Sequence, residues 1–385
     1  MRDKLEKYYL SMVEGERRGV VASIWKALFW VVSWLYLIVI QFRYLLYRIR
    51  IIPRRTVTAW VISVGNITLG GTGKTPVVEE IARLLYSRGR KVAVVSRGYR
   101  RKTGPLLKRL REKLGGAPTT RVVSNGSNII LNARTAGDEP YMLASNLEGI
   151  PVLVNRNRVK GALYAVRRLK ADTIILDDGF QHLRLRRDLD IVLIDSGRPF
   201  GNHRLVPRGI LREPVRNLSR ADLFLITKVR EGDQGPLREE LSRLNPRAEI
   251  LECRYQPLFL RDLRTSLRST LDYLKGAKVA SLAGIARPEE FEKLLARLGA
   301  ELIHSRRFAD HYFYHPQELI DILNQAREKG AEVLVTTEKD AVRLPRLPQG
   351  GLPAFALRVR IVGTGPKADF DQGILSFLRQ REKKR

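Results

Sequence analysis

Cysteine is nearly absent from this 385-residue chain, methionine is rare, and no internal repeat is visible. Cys253, standing alone, excludes an intrachain disulfide framework and a thiolate zinc cluster, and fits a reducing compartment. The five histidines, His182, His203, His304, His311 and His315, show no helical zinc spacing. Acids are scarce as well: 40 Asp+Glu against 70 Lys+Arg leave a formal charge of +30. Such a surface attracts polyanions, whether nucleic acid, anionic lipid headgroups or phosphorylated substrates, and charge alone does not choose among them. No recognised nucleic-acid module or stacking-aromatic motif accompanies it, so the basic residues read as lipid-facing or solvated surface, with no nucleic acid as partner. A hydrophobic share of 44% excludes a disordered chain, and the length allows two compact domains or one large one with additions.

One long apolar run stands out. Residues 20–42, VVASIWKALFWVVSWLYLIVIQF, carry Lys26 as their only charge, enough to span a bilayer as a helix. Trp25, Trp30, Trp34 and Tyr36 suit an interfacial position. Four acids (Asp3, Glu6, Glu14, Glu16) precede the run and no small-residue cleavage site follows it, which argues against a cleaved signal peptide. Basic residues flank both ends equally, so a single span and a deep insertion with both ends cytoplasmic stay open.

Beyond Pro53 the pattern becomes strand, turn, helix. Buried parallel strands are predicted at 61–64, 91–96, 151–155, 173–178, 190–195 and 221–227, with helices at 76–88 and 158–170. A second set follows: a strand from Lys278, a helix opened by Pro288, a strand near 301–308, a helix after Pro316 and a strand at 332–337. The predicted class is α/β: a P-loop-containing, mostly parallel sheet domain, a second, smaller α/β domain, and an N-terminal membrane-associated helix. The predicted segments are 1–55 for the membrane-associated helix, 56–258 for the P-loop core and 259–385 for the smaller domain, joined through a strand-like stretch around 249–258. Residues 102–120 read as a basic insertion.

The clearest chemistry follows the first strand, in GNITLGGTGKTP (65–76). Glycines let backbone N–H groups turn inward around phosphate oxygens, and a helix N-terminus adds its positive dipole end. Gly70, Gly71, Thr72 and Gly73 form the candidate cradle, Lys74 reaches the β/γ-phosphates, and the Thr75 hydroxyl holds Mg²⁺. Thr68 stands where the strict pattern wants glycine. Asp177 and Asp178 end the strand TIIL, where such folds place a magnesium-ordering carboxylate; a capping or turn pair before Gly179 is the plainer alternative. Asp138 and Glu139 open a helix with Pro140 at its first turn, so from the residues alone either one reads as a cap.

Taken together, VGNITLGGTGKTP (64–76), SRGYRR (96–101), GDEPYMLA (137–144), DDGFQHLRLRRDLDIVLID (177–195), LREP (211–214), DHYF (310–313) and VTTEKDAVRL (335–344) resemble the tetraacyldisaccharide 4′-kinase family. The resemblance covers nearly the whole chain and includes the family's own version of the loop at Thr68. It implies Mg·ATP as donor and, as acceptor, an acylated glucosamine disaccharide 1-phosphate glycolipid, the lipid A precursor phosphorylated at its 4′-hydroxyl. It further implies membrane lipids as partners, a site on the cytoplasmic side of a bacterial inner membrane, and two α/β/α domains with a cleft between them. By that resemblance Asp138 is the base and Asp310-His311 its support from the other domain, brought to it by closure. Asp177, Asp178 and Thr75 are the metal side, and His182, Arg97 and Arg158 line the cleft without an assigned role. The loop GNHRLVPRGILREP departs from the family at His203 and Arg208, which bears on the acceptor. Two other classes remain: a membrane-recruited nucleotide switch, for which no NKxD-type motif is found, and a nucleic-acid-binding protein.

Overall fold

The computed structural model describes Ser11 and residues 19–98, 120–229, 234–348, 350–364 and 370–382; the basic insertion at 102–119 lies outside them. The first half supplies β1 (Trp60–Gly65), β2 (Val92–Ser96), β3 (Arg121–Ser124), β4 (Val152–Val154), β5 (Thr173–Asp177), β6 (Leu189–Asp195), β7 (Leu223–Thr227) and β8 (Glu249–Asp262). The second adds β9 (Arg268–Ser269), β10 (Lys278–Ala283), β11 (Glu301–Arg307), β12 (Val333–Thr337) and β13 (Ala354–Thr364). They form one sheet in the order β11-β10-β12-β13-β8-β7-β6-β1-β5-β2-β4-β3, with β9 on β8. Strands β1, β2, β5, β6 and β7 are buried along their whole length, which is why they read as continuous apolar runs without alternation.

β1 pairs in parallel with β5 on one side and β6 on the other. Successive strands therefore depart in opposite directions from β1, opening a crevice at the carboxyl ends of β1 and β5. The predicted phosphate loop and the predicted Asp177-Asp178 pair both emerge there.

β8 is longer than the strand-like connection expected at 249–258. Its first residues pair in parallel with β7, and from Glu252 onward it runs antiparallel to β13. The two halves thus share a continuous sheet, and position 258/259 falls inside a strand. The helix Phe370–Glu382 turns back: Phe370, Ile374, Phe377 and Leu378 join the core of Ile62, Val78, Ile81 and Leu143 in the first half.

Among the described residues, the helix Val20–Arg48 is the one long and apolar enough to cross a membrane, judged by length and composition alone. One face is docked. Ser33 Oγ donates to the Leu205 carbonyl (2.9 Å) and accepts from the Arg208 N–H (3.1 Å), and the Tyr36 hydroxyl donates to the Arg212 carbonyl (2.9 Å). Arg43 donates to the Gln181 carbonyl at 2.8 Å. Trp25, Trp30, Trp34, Leu35 and Ile38 remain exposed on the other faces. Of the two departing loop residues, Arg208 belongs to this contact through its main-chain N–H, while the exposed His203 ring packs 5.6 Å from Phe200 of its own loop.

Candidate active site

Residues 66–73 turn out of β1, and each predicted position takes a distinct task. Thr68 lies in an antiparallel bridge with Leu211, flanked by Leu69 N–H to the Ile210 carbonyl and Arg212 N–H to the Ile67 carbonyl, both 2.7 Å. That stretch is extended, so it does not need the glycine of the strict pattern. Gly70 and Gly73 do need their glycines, at φ 107° and 87°. A Cβ on Gly73 would also run into the Tyr255 hydroxyl. The helix Lys74–Ser87 starts immediately after with no side-chain cap, leaving its first N–H groups directed at the crevice.

With N–H groups turned inward, the loop's carbonyls turn outward and need donors. Thr227 Oγ1 donates to the Thr72 carbonyl (2.9 Å) and Lys228 Nζ to the Gly71 carbonyl (2.7 Å). Asn66 Nδ2 donates to Thr72 Oγ1 (2.9 Å), and Asn66 Oδ1 accepts from Lys74 Nζ (3.2 Å). Gln181 Nε2 ties this corner to the Asn66 carbonyl (2.8 Å) and to Glu213 (2.7 Å).

Asp177 and Asp178 differ sharply. Asp178 stands at φ 54°, gripped by Arg212 Nη1 at 2.8 and 2.9 Å and 3.6 Å from Lys74 Nζ. Burial opposes its ionisation, but Lys74 and Arg212 outweigh it and hold the carboxyl below its ordinary value. Asp177 lies beneath, 1% exposed, with Oδ2 accepting from Ser96 Oγ (2.7 Å) and Oδ1 without a hydrogen-bond partner. Burial, followed by the Glu139 carboxylate, lifts it to about 6.

Among the described residues no group of three or more His, Cys, Asp or Glu side chains could chelate a metal unaided. The oxygen set here, the Thr75 hydroxyl and the two carboxylates, fits a hard divalent cation that takes its remaining ligands from phosphate and water. The unpartnered Asp177 Oδ1 is consistent with that.

On the opposite side, Asp138 is 4% exposed and caps nothing, since the helix Asp138–Asn146 begins after Gly137 without a side-chain cap. Its Oδ2 sits 3.1 Å from His311 Nδ1 and 3.8 Å from Arg343 Nε. The pair is therefore already formed and needs no further closure to meet. Asp310 Oδ1 accepts from Lys339 Nζ at 3.1 Å, and its Oδ2 lies 3.8 Å from His311 Nε2. Against desolvation, Lys339 and then His311 keep the Asp310 carboxyl below its ordinary value.

Lys339, Arg343 and Arg358 carry this side of the site, and nothing in the sequence singles them out. VTTEKDAVRL matches the family, but its spacing gives no sign that Lys339 meets residues 138–139 and 310–311. Arg358, on β13, bonds Glu338 at 2.7 and 2.9 Å and also Glu79, which links the phosphate-loop helix to the second half.

Near the DDGFQH turn Arg158 is buried and His182 half-buried. His182 is pushed down to about 3 by burial, then by Arg158, and so stays neutral. Arg158 donates to the Asn155 and Asp177 carbonyls at 3.1 and 3.0 Å, leaving Nε unpartnered; burial lowers it to about 10. Arg97 is exposed on the cleft wall. A single cleft of about 2630 Å³ reaches Lys74, Thr75 and Asp178 from one side and Asp310, His311 and Lys339 from the other.

The comparisons with known proteins agree with one another. Residues 25–379 match the family model described as Tetraacyldisaccharide-1-P 4′-kinase. The tetraacyldisaccharide 4′-kinase of Halothermothrix orenii is 40% identical over 358 residues, covering 90% of each chain. That of Syntrophus aciditrophicus is 40% identical over 334 residues, 83% of this chain and 84% of the relative. The crystal structure of LpxK from Aquifex aeolicus in complex with ATP superposes with a TM-score of 0.69 at 29% identity, over 91% of this chain and 97% of that one.

Proposed function

The chain belongs to the tetraacyldisaccharide-1-P 4′-kinase family and is a kinase; from that premise we propose that it moves the γ-phosphoryl group of ATP onto the 4′-hydroxyl of an acylated glucosamine disaccharide 1-phosphate, in lipid A synthesis. The observation that carries this reading is the shared cleft: a triphosphate cradle on one wall faces His311 on the other, and the Asp138 carboxylate lies buried against that imidazole. ATP is the donor because the cradle suits a nucleotide triphosphate and the Aquifex relative carries ATP.

In the proposed reaction Asp138 accepts the proton of the 4′-hydroxyl as its oxygen bonds to the γ-phosphorus. The bond to the β,γ-bridging oxygen breaks, and ADP leaves. Loop N–H groups and Lys74 bind the phosphates, and Arg212 keeps Asp178 ionised beside Lys74. Mg²⁺, held by Thr75, Asp177 and Asp178, would neutralise phosphate charge when bound. The protein's share is positioning and charge compensation, with one proton transfer.

The helix Val20–Arg48 is proposed to attach the enzyme to the cytoplasmic face of the inner membrane. Its docked face runs from Ser33 onward. Residues 20–32, about 20 Å of helix, bury Ala22 but expose Val20, Ile24, Leu28 and Val31, and fall short of a hydrocarbon core of about 30 Å. A monotopic insertion therefore fits better than a span. The halves on either side of the β8–β13 seam are proposed to act as two lobes around the cleft.

Mass spectrometry of the lipid precursor after incubation with enzyme, Mg²⁺ and ATP tests the reading, and one added phosphate is expected. Asp138→Asn should lower kcat by about 10²- to 10⁴-fold while sparing the KM for ATP. ATP turnover with no phosphorylated lipid would favour a nucleotide switch instead, and wild-type turnover in the variant would remove Asp138 from the chemistry.

A further inference from the structure

Lys339 and Asp138 face opposite ring nitrogens of His311 and call for the same hydrogen position. An ammonium carries three donors and no acceptor. Lys339 Nζ lies 3.4 Å from His311 Nε2, 3.1 Å from Asp310 Oδ1 and 3.7 Å from Glu139 Oε1. Facing a group that can only donate, Nε2 must present its lone pair. A neutral imidazole then carries its hydrogen on Nδ1, which points at Asp138 Oδ2 at 3.1 Å, and an ionised carboxylate can only accept. Both neighbours therefore demand the same tautomer. The competing arrangement would have Nε2–H donate to Asp310, but Asp310 Oδ2 is 3.8 Å away, beyond hydrogen-bond range.

The lysine is anchored as such a task requires. It sits in the short helix Glu338–Ala341, where Thr337 accepts from the Asp340 N–H. Its own carbonyl accepts from Arg343 Nε at 2.9 Å. Asp340 is fully buried and accepts from the Gly284 N–H, the Tyr314 hydroxyl and Arg343. His311 takes the left-handed backbone conformation, at φ 63°.

We propose that Lys339 is a positioning residue that locks His311 as its Nδ1–H tautomer, so that the imidazole donates to Asp138 and cannot receive a proton from it. The assignment rests on Asp138 acting as base. It gives the pair a direction: the proton leaving the 4′-hydroxyl stays on the Asp138 carboxylate, because the ring nitrogen facing that carboxylate already holds one. It also makes Lys339, at 3.1 Å, the nearer counter-ion of Asp310, with the His311 ring at 3.8 Å.

Nitrogen NMR of full-length enzyme in detergent, with labelled histidine and the His311 signals assigned through His311→Gln, reads the tautomer directly. Wild type should show a protonated Nδ1 and a bare Nε2. A protonated Nε2 in the wild-type enzyme would overturn the proposal, whatever any variant does. Lys339→Met leaves Asp138 accepting from Nδ1–H but takes the ammonium away from Nε2, so Nε2 should take up a second proton and kcat should fall by about 10- to 100-fold, with the KM for ATP within about twofold. An Nε2 that stays bare with unchanged kcat in that variant would equally overturn it, and retained ATP affinity shows that it has folded. If Asp138→Asn turned over like wild type, the base reading would fail, while the tautomer measurement would still decide whether Lys339 sets the ring's hydrogen.

Discussion

The phosphate cradle and His311, with Asp138 buried behind it, share one cleft, yet main chain holds the first and side-chain charge the second. Around the cradle the work is done by backbone conformation at Gly70 and Gly73 and by donors that occupy outward carbonyls, Thr227 and Lys228. Around Asp138 the positions are set by Lys339, Arg343 and Asp310, with two glutamates gripped by Arg358 behind them. A backbone-held site breaks when a Cβ is added. A charge-held site breaks when a partner is removed or a proton moves.

Gly73→Ala attacks the first kind of support and carries the largest expected effect. The residue is left-handed at φ 87°, and the new methyl would meet the Tyr255 hydroxyl. Strain of about 1–3 kcal/mol is placed directly on the loop, so ATP binding should fall by about 5- to 150-fold. Calorimetric titration with ATP checks this. Adding Tyr255→Phe, which removes the obstructing oxygen, should recover part of the loss. No recovery would mean that strain in φ, not the close approach, is what the glycine answers.

How much of the site is legible in the sequence follows the same division. A backbone-held cradle is contiguous: its glycines, lysine and threonine adjoin in sequence and follow a strand, so one local pattern carries it. The DDGFQH turn is legible for the same reason, with Asp177 and Asp178 at the end of a buried strand. The charge-held side draws on residues 138, 310–311, 339, 343 and 358, which only tertiary structure brings together. Asp138 alone reads as a helix cap. Lys339 lies inside a matched stretch, but a four-residue helix has no periodicity to flag it. β8 reads short in the sequence because it changes partner midway, from β7 to β13, and no local signal marks that switch.

Asp177→Asn probes a place where the two kinds of support meet, and its effect is intermediate. Burial lifts this carboxyl from 3.8 to about 6. The folded protein therefore holds a proton that the unfolded chain releases between those values. The stability this confers is fully present below pH 3.8 and is lost as pH rises through about 6. Removing the charge removes that slope. The variant should match wild type at pH near 4 and exceed it at pH near 8 by on the order of 2–3 kcal/mol, read from denaturant midpoints. Turnover should fall in the same variant, because Asp177 is one of the two carboxylates proposed to face the cation. Equal stability at both pH values would mean that Asp177 is not held against its charge.

Thr68→Gly is the smallest expected change and separates the cradle's turned part from its extended part. Thr68 occupies the position where the strict loop pattern has glycine, so pattern matching alone predicts that glycine improves nucleotide binding. The structure predicts otherwise. Thr68 is paired with Leu211 in an extended bridge, and its hydroxyl and carbonyl both accept from Asn66 Nδ2, at 3.3 and 2.9 Å. Glycine there would free the unfolded chain and delete one acceptor, lowering stability by about 0.5–1 kcal/mol. The KM for ATP should stay within about twofold, since the inward N–H groups are shaped at Gly70 and Gly73. A clear fall in KM would show that the bridge to Leu211 restrains the cradle, and would place this stretch with the part that closes on phosphate.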